Sequence, residues 1–351
     1  MKIFCKAPCR VDLAGGTLDI WPLYLYHSGA VTLNFAVNRY ASCALETRTD
    51  SQIALRSRDL GGEEIFPDLQ ALSRAKRYKL PLLAYVVKFF APSTGIDLST
   101  DSEAPAGAGI SGSSTLIIAI ASALNKLTGA GHKIEKLREI AQNIEAQIIG
   151  VPTGAQDYYP AMYGGVSAIE LSPLGIVRKA IPVDLEDLNA RIVLAYTGEP
   201  RNSGINNWEV TKAHIDGDAK VRRNFDRIAA IALAMRGALE RADWTDVARL
   251  LREEWENRRK NAPGISTPLI DRLVTSTRRA GAAGAKVCGA GGGGCVIFLV
   301  EAGSKAAVSA VIEREGATVL PVQVAARGVR MDVGKTDVGK TDVGCQMLDV
   351  G

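Results

Sequence analysis

The order of strand-like and helix-like segments is the feature that most restricts the fold of this chain. Apolar and polar side chains alternate as in strands over residues 2–14, 30–48 and 51–60. Apolar stripes at helical spacing predict helices over 113–128 and 133–149. Strands and helices do not alternate regularly, as they would in a Rossmann sheet, so the pattern predicts an α+β fold.

The remaining predicted elements follow the same irregular order. Further strands are predicted over 163–171, 176–185 and 190–198. The last of these is a continuous apolar run, which is typical of a strand buried on both faces. Helical blocks are predicted over 206–240, 243–260 and 268–280.

The chain is long enough for two domains and a tail. At 351 residues it can bury two cores, and we predict domains over 1–180 and 181–330. Residues 331–351 contain a five-residue repeat without apolar periodicity and are predicted to be disordered. Residues 334–341 within this tail match the phosphate-loop pattern GxxxxGK[ST]. Neither a buried strand nor a helix flanks the match, so we reject it.

Composition favours a small-molecule protein of the cytoplasm. A net charge of +4 spread along the chain disfavours nucleic acid as a partner. No apolar run reaches membrane-spanning length and no apolar signal segment follows Met1, so no membrane partner is expected. The six cysteines form no CxxC pair, which predicts reduced thiols and disfavours a zinc site. We expect a monomer or a homodimer.

A glycine- and serine-rich loop stands directly before the first predicted helix, in "APAGAGISGSST" at residues 104–115. Its glycines permit positive φ and let a ligand approach bare backbone. Its serine hydroxyls, the free N–H groups of the helix start and the helix dipole would all favour one anion, best matched to a polyphosphate. A capped helix after a mobile loop is the alternative interpretation.

A second glycine cluster, "CGAGGGGC" at residues 288–295, lies between two apolar strands. It places five glycines in six positions, whereas a hairpin turn needs one or two. Such a run costs backbone entropy, which favours a loop that closely approaches a ligand or another backbone segment.

Charged candidates occur on both sides of the first glycine loop. Glu145 lies at the edge of the apolar stripe of helix 133–149, and Asp157 lies on a loop shaped by glycine and proline. One carboxylate would hold Mg²⁺ and the other would position a hydroxyl acceptor. The alternatives are a solvated helix charge for Glu145 and a turn-forming aspartate for Asp157. Arg10, in a predicted strand with Asp12, could neutralise a transferred phosphoryl group, or could be a solvent-facing arginine.

Taken together, three spaced motifs resemble those of the GHMP kinases. The motifs are "KAPCRVDLAGG" near the N-terminus, "PAGAGISGSS" and "KVCGAGGGGC", and the likeness extends over about residues 1–330. The resemblance implies a two-domain α+β fold, with an N-terminal domain like the second domain of ribosomal protein S5 and a ferredoxin-like C-terminal domain. ATP would lie between the two domains.

The resemblance also implies roles for individual residues. Arg10 matches a basic residue that stabilises the transition state, and Asp157 matches the aspartate that faces the acceptor hydroxyl. Glu145 matches the metal carboxylate, with the hydroxyl of Ser114 near Mg²⁺. The residues matched to the ATP phosphate loop are Pro105, Gly107, Gly109, Ser111, Gly112, Ser113 and Ser114. The residues expected to contact the acceptor are Gly16, Thr17, Asp19, Gly291 and Gly292.

Within this family the chain is most similar to sugar kinases that phosphorylate heptose 7-phosphate. The function implied is an ATP- and Mg²⁺-dependent kinase that phosphorylates a hydroxyl of a sugar or sugar phosphate. Two departures affect substrate identity: "AGGTLD" replaces the "AGGGTD" of heptose kinases, and Cys9 replaces a glycine common in the family. A mevalonate-type kinase of the isoprenoid pathway and a catalytically silent sugar- or nucleotide-binding relative are the alternatives.

Overall fold

Two β-sheets, of nine and four strands, form the framework of the computed structural model. It describes residues 1–199, 203–334 and 347–349, with the backbone alone for 203–206 and 347–349. The strands are β1 (Lys2–Ala14), β2 (Val31–Thr47), β3 (Ile53–Ser57), β4 (Gly62–Phe66), β5 (Ile96–Ser102), β6 (Val166–Ser172), β7 (Gly175–Ala180), β8 (Ile192–Tyr196), β9 (Ala282–Val287), β10 (Cys295–Val300), β11 (Thr318–Leu320), β12 (Arg330–Gly334) and β13 (Met347–Asp349).

Helices cover the sheets and connect them. They are α1 (Leu69–Arg74), α2 (Pro81–Phe90), α3 (Gly112–Thr128), α4 (Ile134–Ile149), α5 (Tyr158–Tyr163), α6 (Leu185–Arg191), α7 (Ser203–Ile215), α8 (Ala219–Glu240), α9 (Trp244–Arg258), α10 (Pro268–Ser276) and α11 (Lys305–Arg314). The predicted α+β class is confirmed, because the larger sheet is largely antiparallel and its only parallel pair among the described strands is β3 with β5. None of the helices in the described ranges is both long and apolar enough to cross a membrane.

Strand β1 contributes to two hydrophobic cores. Ile3, Cys5 and Ala7 pack in the core that includes α2, α3 and α4. The pairing of β1 with β2 shifts register between Pro8 and Cys9, and the apolar residues from Cys9 onward belong to a second core with α8, α9 and β10. A β-bulge re-aims the side chains that follow it. Arg10 and Asp12 therefore lie at the junction of the two cores.

The smaller sheet has the strand order β11-β8-β10-β9 and is antiparallel throughout. Its central strand β8 comes from the apolar run that we predicted to be buried on both faces. That prediction is confirmed, because Ile192 and Leu194 face one core while Val193 and Ala195 face another.

Helices α3 and α4 confirm the two predictions made from apolar stripes, and the helical block predicted over 206–240 is also confirmed. It consists of two helices, α7 and α8, which are separated around Gly217, whose φ is +93°. The side chain of Asp218 accepts hydrogen bonds from the N–H groups of Lys220 and Val221 and so starts the second helix. Glycine at positive φ followed by an aspartate N-cap is a strong stop-and-start signal.

The predicted tail is corrected in part. Residues 330–334 form β12, which pairs with β1, and 347–349 form β13, which pairs with β12. Pairing with the first sheet begins even earlier, since Val324 bridges to Val37, so the end of the predicted second domain returns to the first sheet. Most of the rejected phosphate-loop match at 334–341 lies outside the described residues.

The described cysteines and two of the histidines are buried. None of the five described cysteines forms a disulfide, while Cys345 lies outside the described residues. The two buried histidines lie in contact. Nε2 of His27 lies 2.8 Å from Nε2 of His214, and its Nδ1 lies 2.8 Å from a carboxylate oxygen of Asp226.

Candidate active site

A cleft of about 710 Å³ brings most of the predicted site residues together. Its walls are the turn after β1, the glycine/serine loop before α3, the C-terminal end of α4 and the loop that follows it. Residues of α7, α9 and the glycine loop after β9 complete it. Clefts of this size are typical of small-molecule sites.

Arg10 and Asp157 form an ion pair in the middle of the cleft. Nε and Nη2 of Arg10 donate to the same Asp157 oxygen, Oδ1, at 2.9 and 2.7 Å. Nη1 of Arg10 donates to the carbonyl oxygen of Gly109 at 2.7 Å, which ties the pair to the glycine/serine loop. Burial alone would lower the pKa of Arg10, but the carboxylates of Asp157 and Asp12 raise it above its ordinary value. The solvent-facing alternative for Arg10 is therefore wrong, since only 3% of it is exposed.

The glycine/serine loop places one unpaired hydroxyl, that of Ser111, in the cleft. Gly107 and Gly109 adopt positive φ of +69° and +76°, which the missing side chain permits. Ser111 also has a left-handed backbone and caps α3, yet its buried Oγ has no hydrogen-bond partner within the described chain. A buried hydroxyl without a partner at a helix N-terminus is suited to donate a hydrogen bond to a ligand oxygen.

Glu145 lies beside this loop and is held by three hydroxyl groups. Ser113, Ser114 and Tyr158 donate to its carboxylate at 2.5, 2.8 and 2.6 Å. Burial raises the pKa of Glu145, and the three hydrogen bonds oppose that rise. The solvated-helix alternative for Glu145 is wrong, because the side chain is buried.

Asp19 is a third carboxylate of the cleft, on the turn after β1. The backbone N–H of Gln156 donates to its Oδ2 at 2.9 Å. Gln156 is positioned in turn by Asn34, whose Nδ2 donates to its carbonyl oxygen at 3.3 Å. Burial, with a smaller contribution from the nearby charge of Asp157, raises the pKa of Asp19 to about 6.

Comparison with known proteins identifies the source of this arrangement. The model of the GHMP kinases N terminal domain matches residues 77–165, and that of the GHMP kinases C terminal matches residues 235–317. The two matches contain the glycine/serine loop, Glu145, Asp157 and the second glycine loop. The chain belongs to the GHMP kinases.

Individual relatives resemble this GHMP kinase over most of its length. It is 28% identical to a D-glycero-alpha-D-manno-heptose 7-phosphate kinase of Campylobacter jejuni, over 93% of this chain and 97% of the relative. It is 29% identical to a mevalonate kinase of Thermococcus gammatolerans, over 68% and 69% of the two chains. The crystal structure of a D-glycero-D-manno-heptose 1-phosphate kinase from Bacteroides thetaiotaomicron superposes with a TM-score of 0.77, at 24% identity, covering 95% of this chain and all of that one.

The second glycine loop of the GHMP kinase departs from expectation. Gly289 and Ala290 line the cleft, but the predicted acceptor contacts Gly291 and Gly292 do not. Gly292 donates its N–H to the carbonyl oxygen of Ile265 at 2.9 Å, and a Cβ added at Gly291 would lie 2.6 Å from that same oxygen. These glycines therefore let the loop pack against protein backbone, which was the other explanation for the cluster.

Sequence patterns missed three buried charged residues beside the cleft of the kinase, Lys286, Glu254 and Arg258. Lys286 of β9 donates to the Asp12 carboxylate at 2.6 Å, and the N–H of Gly289 donates to the other oxygen of Asp12 at 3.0 Å. Arg258 of α9 lines the cleft and pairs with Glu254, four residues earlier. The Glu254–Arg258 spacing is typical of exposed helical ion pairs, so no sequence signal distinguished this pair.

Proposed function

We propose that this GHMP kinase transfers the γ-phosphoryl group of ATP to a hydroxyl group of a sugar phosphate, with heptose 7-phosphate as the first candidate acceptor. The observation that carries the proposal is the position of the Arg10–Asp157 pair. It stands between the glycine/serine loop, which carries the unpaired Ser111 hydroxyl, and the polar turn with Asp19. A donor phosphate and an acceptor hydroxyl would meet at this pair.

The loop end of the cleft fits a nucleotide phosphate with Mg²⁺. Within the described residues, no group of three or more His, Cys, Asp and Glu side chains is arranged to hold a metal by itself. Mg²⁺ commonly needs only one or two carboxylates because phosphate oxygens and waters complete its coordination. Glu145 and the Ser114 hydroxyl supply this kind of donor set, and Mg²⁺ there would neutralise phosphate charge.

The residues of the cleft divide the chemistry of the transfer. The acceptor hydroxyl oxygen forms a bond to the γ-phosphorus while the bond to the ADP oxygen breaks. Asp157 is placed to orient that hydroxyl and to take its proton. Arg10 holds Asp157 and stabilises negative charge on the transferred group, while the Ser111 hydroxyl and the helix N-terminus bind phosphate oxygens.

The acceptor end favours a hydroxyl-rich substrate over mevalonate. Its walls include Thr17, Asp19, Gln156 and Asn207. Each of these side chains can form a hydrogen bond with a hydroxyl group. A heptose offers these side chains more hydroxyl groups than mevalonate, which has two. The full-length similarity to a heptose 7-phosphate kinase supports the choice of the first acceptor.

An acceptor panel tests the proposal. ADP release would be measured with ATP and Mg²⁺ on heptose 7-phosphate, unphosphorylated heptose, galactose, fucose and mevalonate, with Asp157→Asn as the matched inactive control. We expect kcat/KM for heptose 7-phosphate to exceed that of the other compounds at least about tenfold. A higher value for mevalonate would establish the mevalonate-type alternative. Nucleotide binding without ADP release on any compound would establish a silent relative.

A further inference from the structure

Thr17 has a backbone conformation that requires an explanation. Its φ is +74°, in the left-handed region, and it is one of only four non-glycine residues with positive φ within 1–199, 203–334 and 347–349. A β-branched residue is a particular outlier there. Such strain persists only where surrounding groups enforce it, and it concentrates at functional sites. Thr17 belongs to the turn of residues 15–19, which ends at Asp19 on the acceptor side of the cleft.

Arg258 is the group that holds this turn from outside. Its Nη2 donates to the carbonyl oxygen of Gly16 at 2.9 Å, and its Nη1 donates to the Thr17 hydroxyl at 3.3 Å. The Thr17 hydroxyl in turn lies 3.4 Å from Oδ1 of Asn207. A planar guanidinium can make both contacts at once, which a lysine ammonium cannot reproduce.

The guanidinium of Arg258 is itself fixed by buried partners. Its Nε donates to Glu254 at 2.8 Å, and its Nη2 reaches the same carboxylate oxygen. Nζ of Lys286 lies 3.8 Å from the other Glu254 oxygen and pairs with Asp12 at 2.6 Å. Two cations and two carboxylates thus compensate one another, and the side chains of Lys286, Asp12 and Glu254 are 0% exposed. The network fixes α9 and β9 against the end of β1.

We propose that Arg258 is a positioning residue that holds the 15–19 turn in the conformation needed to bind the acceptor. The inference rests on the proposed function for the identity of the acceptor, but the contacts of Arg258 with the turn do not. Arg258 acts through Thr17 and Asp19, which present their oxygens to the acceptor. The nucleotide end of the cleft is formed by other residues, so acceptor binding depends on Arg258 and nucleotide binding does not.

Arg258→Lys tests this role because it keeps a positive charge beside Glu254. Its matched control is Arg259→Lys at the C-cap of α9, where Arg259 is half-buried and pairs with Asp271 away from the cleft. In Arg258→Lys we expect the acceptor KM to rise about tenfold or more, because hydrogen bonds from a charged donor are lost. We expect kcat and the nucleotide Kd to stay within about threefold of the parent.

Amide hydrogen exchange supplies a readout that needs no acceptor. The N–H of Leu18 donates to Gly15 and that of Ile20 donates to Thr17, each at 3.1 Å, so both report on the 15–19 turn. Both amides should exchange about tenfold faster in Arg258→Lys and at the parent rate in Arg259→Lys. A second variant, Thr17→Gly, leaves the buried ion pairs intact, and should also raise acceptor KM by about tenfold because its hydroxyl is lost.

The outcomes separate this inference from the proposed function. Unchanged exchange of Leu18 and Ile20 in Arg258→Lys would overturn the positioning role. Faster exchange with an unchanged acceptor KM would overturn the link to the acceptor, as would equal losses in Arg258→Lys and Arg259→Lys. If the parent protein turned over no sugar phosphate, the proposed function would fail, while faster exchange in Arg258→Lys alone would still establish that Arg258 holds the turn.

Discussion

The loop end and the centre of the cleft hold their carboxylates by different means. At the loop end, Glu145 is surrounded by neutral hydroxyl donors from two serines and a tyrosine. At the centre, facing the acceptor side, Asp157 is held by the guanidinium of Arg10. A carboxylate held by hydroxyls keeps its charge uncompensated and can attract a metal ion, whereas one paired with arginine is already compensated.

The difference indicates a division of labour that follows from charge alone. The uncompensated carboxylate is suited to Mg²⁺, and the compensated one is suited to orient a neutral hydroxyl without attracting a cation. Replacing one carboxylate by an amide of the same shape should therefore have a different effect at Glu145 than at Asp157.

The largest effect is expected from Asp157→Asn. The amide keeps the size of the side chain but cannot take the proton of the acceptor hydroxyl, so kcat should fall roughly 10²-fold or more. The nucleotide Kd should stay close to that of the parent because the nucleotide phosphates are bound at the loop end of the cleft. Steady-state turnover and nucleotide titration check both values. Normal turnover of Asp157→Asn, or its rescue by added Mg²⁺, would contradict the different roles assigned to Asp157 and Glu145.

Glu145→Gln should weaken metal-dependent turnover. Loss of the Glu145 carboxylate should shift the Mg²⁺ concentration for half-maximal turnover upward by about tenfold, with partial recovery at high Mg²⁺. Glu139→Gln on the same helix, an exposed position paired with Lys136, is the matched control. A Mg²⁺ titration of all three proteins measures the shift. An unaltered Mg²⁺ midpoint of turnover in Glu145→Gln would show that Mg²⁺ does not bind at Glu145.

Gly109→Val tests whether the loop end of the cleft binds the nucleotide. A branched side chain at φ +76° would stand where phosphate oxygens must approach, and ATP affinity should fall about tenfold. Gly129→Val introduces the same kind of strain at φ +65°, at the end of α3 with open space around it. It should lose stability without losing affinity. ATP titration and thermal melting of both variants would decide, and equal affinities would contradict the assignment.

The smallest effect concerns the pH dependence of stability through Asp19. Its pKa is raised to about 6 in the folded protein, from 3.8, so between these pH values the native state binds more protons than the unfolded state. Stability contributed by this group therefore falls as pH rises from about 4 to 6. Asp19→Asn, which cannot ionise, should melt several degrees above the parent at pH 7.5, a gain of order 2 kcal/mol.

The same comparison should show a much smaller gain at pH 4, where Asp19 is protonated in the native parent and only partly ionised in its unfolded state. Calorimetric melting at the two pH values tests the sign. A gain of equal size at both would mean that charge burial is not the cause. The acceptor KM of Asp19→Asn should rise, because Asp19 lowers the stability of the fold at neutral pH but contributes to acceptor binding.

Local patterns predicted the parts of this fold whose cause is local. The stripes of α3 and α4 and the apolar run of β8 were sufficient, because periodicity alone identifies buried faces. The division of 206–240 at Gly217 was missed although its stop signal stands in the sequence. The pairing of β12 with β1 was missed for a different reason, since contacts between residues some 320 positions apart leave no local signature.

The candidate site shows the same limit. Glycine density identified the loop at 104–115 because positive φ is a local demand. At 288–295 the same density indicated close approach without identifying the neighbour, and Ile265 fills that place for Gly291. No sequence pattern identified Arg258, because the strained turn at Thr17 that it contacts lies 241 residues earlier in the chain.

The position of β1 between β2 and β12 has a consequence for biosynthesis. Lys2–Lys6 of β1 pairs on one side with a strand that leaves the ribosome soon afterwards, and on the other with Arg330–Gly334. At a translation rate of about 5–20 residues per second, this second edge stays open for roughly 15–65 s. Throughout that interval the nascent chain presents an unpaired strand edge, a template for pairing with other chains. Lys2 and Lys6 place positive charge on this edge during that interval, which discourages such pairing until β12 is synthesised.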